Sequence, residues 1–356
     1  MTTNSIINED LENIYKADIN WSRFAGKTVL ITGANGFLPA YLVETLLYVG
    51  DRFVDKKVKV IGLVRNIERA KKRFADYLSN SNLIFIEQDV VEEIRLDTNV
   101  DFIIHAASQA SPKYYGTDPV GTLNANVLGT SNLLNLAKDH KVESFLFFSS
   151  SEVYGSLTND QMPVNEDHYG YLNPLVVRSC YAESKRMGEN MCASYSHQYQ
   201  VNTKIIRPFH TYGPGMDLND GRVFVDFVAD VLKGENIVIK SDGTAKRAYC
   251  YITDAIIAYF KVLLNGKNGE AYNVGNPYNE HSVSELANIM VSLFEGEPLK
   301  VIMENKSNGS YLPSQVSRIV PDINKLKDLG WEPKVSAKEG FYRTVTSYKN
   351  IYNESI

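Results

Sequence analysis

Cysteine is scarce in this chain: three residues, Cys180, Cys192 and Cys250, in 356. An odd number without metal-ligand spacing excludes a disulfide scaffold or a zinc site and fits thiols packed in a reducing compartment. No run of about 18 apolar residues occurs, so no bilayer-spanning helix is expected. The first twenty residues are polar and acidic and lack the apolar core of a secretion signal, which makes the cytoplasm the expected location. A basic excess is missing as well. The 37 Lys and Arg stand against 42 Asp and Glu, a net charge of −5, which argues against a nucleic-acid or membrane-surface partner. Internal repeats and low-complexity linkers are absent. What remains is 44% hydrophobic and 22% charged, the composition of an ordinary globular protein long enough for a large core and two lobes.

Residues 1–22 read as an appended arm with Leu11, Ile14 and Tyr15 on one helical face, suited to pack on the domain or on a second subunit. Residues 27–32 form a short apolar strand, 33–40 a glycine turn, and 41–48 a helix. In that order the glycines allow a tight turn and close backbone approach to a pyrophosphate at the helix N-terminus. Gly33, Asn35, Gly36, Phe37 and Leu38 are therefore candidate dinucleotide contacts, against the plain alternative of a strand-to-helix connection. Pro39 stands where the third glycine of such turns falls, and a first helical turn tolerates it. Residues 58–64 make a second strand. An acidic residue usually follows it and holds the adenosine ribose; here Arg65 and Asn66 follow, with Arg69 one turn on. An arginine there accepts a 2′-phosphate, unless these residues only start a solvated basic helix.

A third strand over 83–86 leads to Asp89 and Val90, where Asp89 can bind an adenine amino group or cap a loop. The fourth strand, 100–107, ends in Ala106 and Ala107, with Ser108 next, small enough for backbone to lie against a cofactor. His105 reads as a structural histidine. The loop after it holds Ser111, and a helix over 120–140 carries Asn124 and Asn126 on its early turns. The fifth strand, 145–148, runs into Ser150, Ser151 and Glu152, hydroxyls and a carboxylate at a strand's carboxyl end, where such sheets bind ligands. A capped helix start is the alternative for any one of them.

Tyr181 and Lys185 lie four apart, on one helical face. A phenol titrates near pH 10, and lowering it about three units requires roughly 4 kcal/mol. A nearby ammonium and an oxidised nicotinamide can supply that, making a base for a sugar hydroxyl while hydride leaves the same carbon. A lone Tyr-x-x-x-Lys is also common surface decoration. Downstream, a sixth strand over 203–207 meets Pro208 and His210, and an apolar helix over 223–232 follows. Arg222, Arg247 and Arg318 can converge on a diphosphate, which suits forked donors.

Thr-Gly-x-x-Gly, Asp89-Val90, His-Ala-Ala, Ser-Ser-Ser-Glu-Val-Tyr-Gly, Tyr-x-x-x-Lys and Arg-x-x-x-x-Tyr-Gly-Pro, in this order, resemble the extended short-chain dehydrogenase/reductases. The resemblance is narrower to their nucleotide-sugar epimerases, dehydratases and decarboxylases, and spans nearly all of residues 25–350. It implies an α/β fold: a Rossmann-type doubly wound parallel sheet with a smaller α/β substrate-binding domain. The expected divisions are 1–22, an N-terminal extension; 23–207, the dinucleotide-binding domain; and 208–356, mainly substrate-binding with some chain returning to the sheet. It also implies a tightly bound, recycled NAD or NADP touching Ala106, Ala107, Ser108 and Pro208. Tyr181 becomes the base at C4, assisted by Lys185, with Ser150 orienting the hydroxyl. Ser111, Asn124, His210 and the three arginines face the nucleoside-diphosphate sugar, and a homodimer forms through two helices of the first domain.

UDP-glucuronate decarboxylases and dTDP-glucose 4,6-dehydratases are the branches most alike. Asn124 stands where the former have lysine, and Ile319 where they have arginine, with Arg318 one place off. Ser151 replaces the aspartate of the dehydratases, Glu152 is a residue that simple 4-epimerases usually lack, and His210 replaces an asparagine. The expected activity is modification of a nucleotide sugar through a transient 4-ketone, of dehydratase, decarboxylase or C5-epimerase type with Glu152 acting near C5. A 4-epimerase, an NADPH-dependent carbonyl reductase and a non-catalytic cofactor sensor are the alternatives.

Overall fold

Short apolar runs closed by glycine or polar turns become the strands of an all-parallel seven-stranded sheet in the computed structural model, which describes residues 2–294, 296, 299–304 and 317–353. Its strands are β1 (Thr28–Thr32), β2 (Lys59–Val64), β3 (Leu83–Glu87), β4 (Phe102–His105), β5 (Ser144–Phe148) and β6 (Thr203–Pro208). Of the strands that follow, β7 (His210–Tyr212), β8 (Ile237–Ile239), β9 (Lys246–Tyr251) and β10 (Glu270–Val274), β10 returns to pair with β6. The spatial order is β10-β6-β5-β4-β1-β2-β3. Every residue of β1, β4 and β5 is buried, as befits strands covered on both faces. The order reverses between β1 and β4, the crevice where ligands bind in open α/β sheets.

Helices α1 (Ser5–Tyr15), α2 (Phe37–Gly50), α3 (Ile67–Arg73), α4 (Lys113–Thr117), α5 (Pro119–His140) and α6 (Cys180–Tyr199) precede β6; α7 (Val223–Lys233), α8 (Ile252–Asn265), α9 (Val283–Ser292), α10 (Asn324–Lys327) and α11 (Ala337–Asn353) follow it. One core lies on the face covered by α2 and α8, and a second, with Leu133, Leu134 and Cys192, under α5 and α6. Strands β7, β9, β11 (Glu280–Ser282) and β13 (Arg318–Ile319) form a four-stranded sheet, and β8 pairs with β12 (Val301–Met303). None of the described helices is long and apolar enough to cross a membrane.

Two sequence expectations need correction, and the N-terminal arm takes the first of its two expected placements, on the domain. The helix expected over 41–48 begins at Phe37, because Gly36 serves as its N-cap and Pro39 occupies a first-turn position that needs no N–H. The fourth strand stops at His105, and Ala106 to Ser108 leave the ladder. The N-terminal arm packs on its own chain. Ile7, Leu11 and Ile14 are buried against α2, α8 and α11, while Tyr15 is only half-buried. Asp10 is fully buried and accepts hydrogen bonds from Tyr41 Oη (3.1 Å), Tyr251 Oη (2.8 Å) and Arg343 Nη2 (2.8 Å). Burial pushes its carboxyl up to about 6, although Arg343 pulls the other way.

Candidate active site

At the carboxyl ends of the central strands lies a cleft of about 1810 Å³. Gly33 starts it, with φ +64° and its N–H on the Leu63 carbonyl at 2.9 Å. A Cβ at Gly33 would come within 2.9 Å of Ala107 Cα, so the turn lies against the end of β4 only as glycine. Asn35, Gly36, Phe37 and Leu38 line the same end, where first-turn amides of α2 have no helical acceptor. Arg65, Asp89, Val90, Ala106, Ala107 and Ser108 form the wall across from them. Arg65 and Arg69 are exposed. Asp89 spends one oxygen on the Val91 N–H at 3.1 Å, the loop cap weighed above. His105 is structural, held between Thr32 (2.9 Å) and Thr130 (3.1 Å), and burial lowers it to about 3.

The other end of the cleft brings Ser150, Ser151, Glu152, Tyr181, Lys185 and Pro208 together. Ser150 caps a short 3₁₀ turn, accepting from the Glu152 N–H at 3.2 Å, and its hydroxyl is near enough to Tyr181 to act on the phenol. Tyr181, on the first turn of α6, is buried and stacked on Tyr115, with ring centroids 4.9 Å apart at 16°. Lys185 donates to the Phe148 carbonyl at 2.6 Å. The expected priming of the phenol by the lysine is not what the protein by itself shows. Burial raises Tyr181 to about 12, against the pull of the nearby Ser150 hydroxyl, and burial lowers Lys185 to about 7. Beneath them Glu189 holds Ser149 Oγ at 2.5 Å and grips the buried Arg207 through Nε (2.8 Å) and Nη2 (2.7 Å).

Ser111, Asn124, His210, Arg222 and Arg247 also line the cleft. Ser111 Oγ donates to the Asp220 carbonyl at 2.8 Å, and Arg222 is paired with the Asp220 carboxylate. Burial drives His210 well below its ordinary value, the nearby Arg247 and Arg222 adding to the effect. Arg318 does not join them: its Nε and Nη2 bind Glu280 at 2.5 and 2.9 Å, and Ile319 faces the cleft instead. Sequence reasoning missed Tyr115 and Arg178. Arg178 pairs with Glu152 at 3.3 Å, and its position three residues ahead of Tyr181 was the available signal.

The residues of the cleft fit a dinucleotide and a polar second ligand. Ser108 Oγ, Gln109 Oε1, Arg178 Nε and His210 Nδ1 are buried without a hydrogen-bond partner among the described residues, all on residues lining the cleft. Such atoms are rare in folded proteins and call for a partner; the glycine cradle at Gly33 supplies the matching close approach.

Comparison with known proteins agrees. UDP-glucuronic acid decarboxylase 1 of Danio rerio is 36% identical over 323 residues, 90% of this chain and 72% of that protein. UDP-glucuronic acid decarboxylase 6 of Arabidopsis thaliana is 36% identical over 313 residues, 88% and 86% of the two chains. Among solved structures, UDP-glucose 4-epimerase of Thermotoga maritima with UDP-glucose superposes with a TM-score of 0.77 at 25% identity, covering 91% of this chain and 99% of that one. UDP-glucuronic acid 4-epimerase of Bacillus cereus, in complex with UDP-glucuronic acid and NAD, shares the fold with a TM-score of 0.76 at 24% identity, over 91% of this chain and all of that one. Residues 29–275 match the sequence pattern of one enzyme family, and the chain belongs to it: the NAD dependent epimerase/dehydratase family.

Proposed function

We propose that this enzyme oxidises C4 of a nucleoside-diphosphate sugar and uses the ketone for chemistry at C5, decarboxylation of a UDP-hexuronate being the form best supported. The observation that carries the reading is the convergence of Ser150, Glu152, Tyr181 and Lys185 at one end of the cleft, with Tyr181 and Lys185 one turn apart on the same helix. The relatives named above, decarboxylases of UDP-glucuronic acid by name, support the choice of sugar.

Bound NAD(P) supplies a hydride acceptor at C4 and a donor later. Tyr181 Oη takes the C4 hydroxyl proton, and Ser150 holds that oxygen in line. In the resulting β-keto acid the electrons of the C5–C6 bond move toward the C4 carbonyl and carbon dioxide leaves. C5 then takes up a proton, in the neighbourhood of Glu152. Tyr181 returns its proton to the C4 oxygen as the carbonyl is reduced. Gly33 to Leu38 and Ala106 to Ser108 would hold the dinucleotide. Arg65 and Arg69, which make no side-chain ion pair among the described residues, would take a 2′-phosphate.

A second reading, a 4-epimerase, is favoured by one observation: Glu152 is tied to Arg178, as a residue that only orders its loop would be. The carbonyl-reductase alternative rests on Arg65 alone. We further propose a cytoplasmic homodimer. Three free, buried cysteines suit a reducing compartment, and the adjacent helices α5 and α6 present Val120, Leu128 and Met187 to solvent. Incubation with UDP-, dTDP-, CDP- and GDP-sugars, with mass analysis of the products, tests the activity. Absence of turnover by folded, cofactor-loaded protein overturns it.

A further inference from the structure

Arg178 ends the loop that crosses the sugar end of the cleft, in a 3₁₀ turn (Val177–Ser179) that leads directly into α6. Its guanidinium sits between two groups of the reaction centre. Nη1 donates to Glu152 Oε2 at 3.3 Å, and the guanidinium carbon lies 5.9 Å from the ring centroid of Tyr115, which is itself stacked on Tyr181. Its Nε is buried and has no hydrogen-bond partner among the described residues. The Nε edge of a guanidinium is one that takes a carboxylate through two parallel N–H···O bonds.

Three other arginines have that edge filled. Arg222 gives its Nε and Nη2 to Asp220, Arg207 to Glu189, and Arg318 to Glu280. Arg247 donates Nη1 to the carbonyls of Lys246 and Ser317. Arg178 thus combines a buried, unpartnered donor among the described residues with a position beside Glu152 and the ring that stacks on Tyr181.

We propose that Arg178 is a specificity-determining residue that binds a carboxylate on C6 of the sugar. The proposal rests on the 4-ketone reading, which puts C4 at Tyr181 and so C5 and C6 within reach of Glu152. A sugar carboxylate there meets the charge of Glu152, and a guanidinium shared between the two removes that repulsion. A neutral hydroxymethyl group at C6 leaves the same Nε–H with a weaker acceptor. The substrate class is therefore a nucleoside-diphosphate hexuronate rather than a neutral hexose.

Titration calorimetry of cofactor-loaded protein with UDP-glucuronic acid and with UDP-glucose tests this. The wild type is expected to bind the uronate at least about tenfold more tightly, and Arg178→Gln to erase that preference by weakening the uronate alone about 10- to 100-fold. Arg178→Lys, which keeps the charge and loses the fork, should restore part of it. Equal loss for both ligands makes Arg178 a mere prop for Glu152 and overturns the proposal, as does a wild type that does not discriminate. Should the glutamine variant fail to fold, the wild-type ratio and the lysine variant still decide. The underlying reading is judged separately, by the near-ultraviolet absorbance of reduced nicotinamide after mixing. Ketone formation from neutral sugars without uronate preference sinks the Arg178 assignment and spares the reading. Selective uronate binding without C4 oxidation does the reverse.

Discussion

The Lys185 ammonium lies 2.6 Å from the Phe148 carbonyl oxygen and 5.7 Å from the centre of the Tyr181 ring. The pair shares a helix face, yet the lysine is held by the end of β5, and desolvation governs both groups. With Tyr181 raised to about 12 and Lys185 lowered to about 7, the phenol keeps its proton at neutral pH in the protein by itself. On the reading proposed above, a positive charge entering beside the ring would convert it to a base, which would tie proton removal to occupancy of the dinucleotide site.

Tyr181→Phe should lower turnover about 10²- to 10⁴-fold, the usual worth of a general base. The stacking on Tyr115 needs only the ring, so fold and dinucleotide affinity should stay as in the wild type. Calorimetry with NAD and NADP beside product analysis checks both halves.

Glu152→Gln separates the two readings of the reaction. If the carboxylate works at C5, product formation falls about 100-fold or more while reduced nicotinamide accumulates. A 4-epimerase would keep its rate, because the amide can still accept from Arg178.

Glu189→Ala leaves the guanidinium of Arg207 buried without its carboxylate. Breaking one side of a buried pair costs about 3–5 kcal/mol, and urea unfolding should show a loss of that size. The same change frees Ser149 next to Ser150, so the variant that folds should also lose activity.

Arg65→Asp should reverse the cofactor preference. With the guanidinium at the end of β2 the phosphorylated dinucleotide is expected to bind at least as tightly as NAD. The aspartate repels a 2′-phosphate and accepts from a ribose hydroxyl, so NADP affinity should fall at least about tenfold, about 1.4 kcal/mol, relative to NAD. Equilibrium dialysis with each dinucleotide measures it.

Asp10 makes stability depend on acid. Its folded value, about 6, lies above the ordinary 3.8, so the folded state binds a proton that the unfolded chain releases. Its contribution is fully present below about pH 4 and is lost as pH rises through about 6, by roughly 3 kcal/mol for two units. The stability of wild type minus that of Asp10→Asn should therefore fall across this window and level off above it, as read by denaturant titration at each pH.

The strands and the turn at Gly33 were legible because each depends on neighbours in sequence: apolar runs, glycines and their spacing. The partners of Glu152, Lys185 and Arg318 were not, since each is a long-range contact. Arg318 is drawn to Glu280, 38 residues away, and nothing in the local pattern distinguishes it from Arg222. The elevated phenol of Tyr181 was hidden for a related reason. Spacing shows that a lysine is near, but the depth of burial that outweighs it emerges only when Tyr115 and the β5 end close around the ring.

The Asp10 junction bears on how this protein can be handled. Cutting it back to the segment that matches its family, which starts at residue 29, would remove one carboxylate from beneath three side chains. Tyr41, Tyr251 and Arg343 would lose their common acceptor, and α2, whose first turn lines the cleft, would lose its cover. A shortened version would be weakened in its nucleotide-binding half, so crystallisation trials and fusions should keep the leading helix.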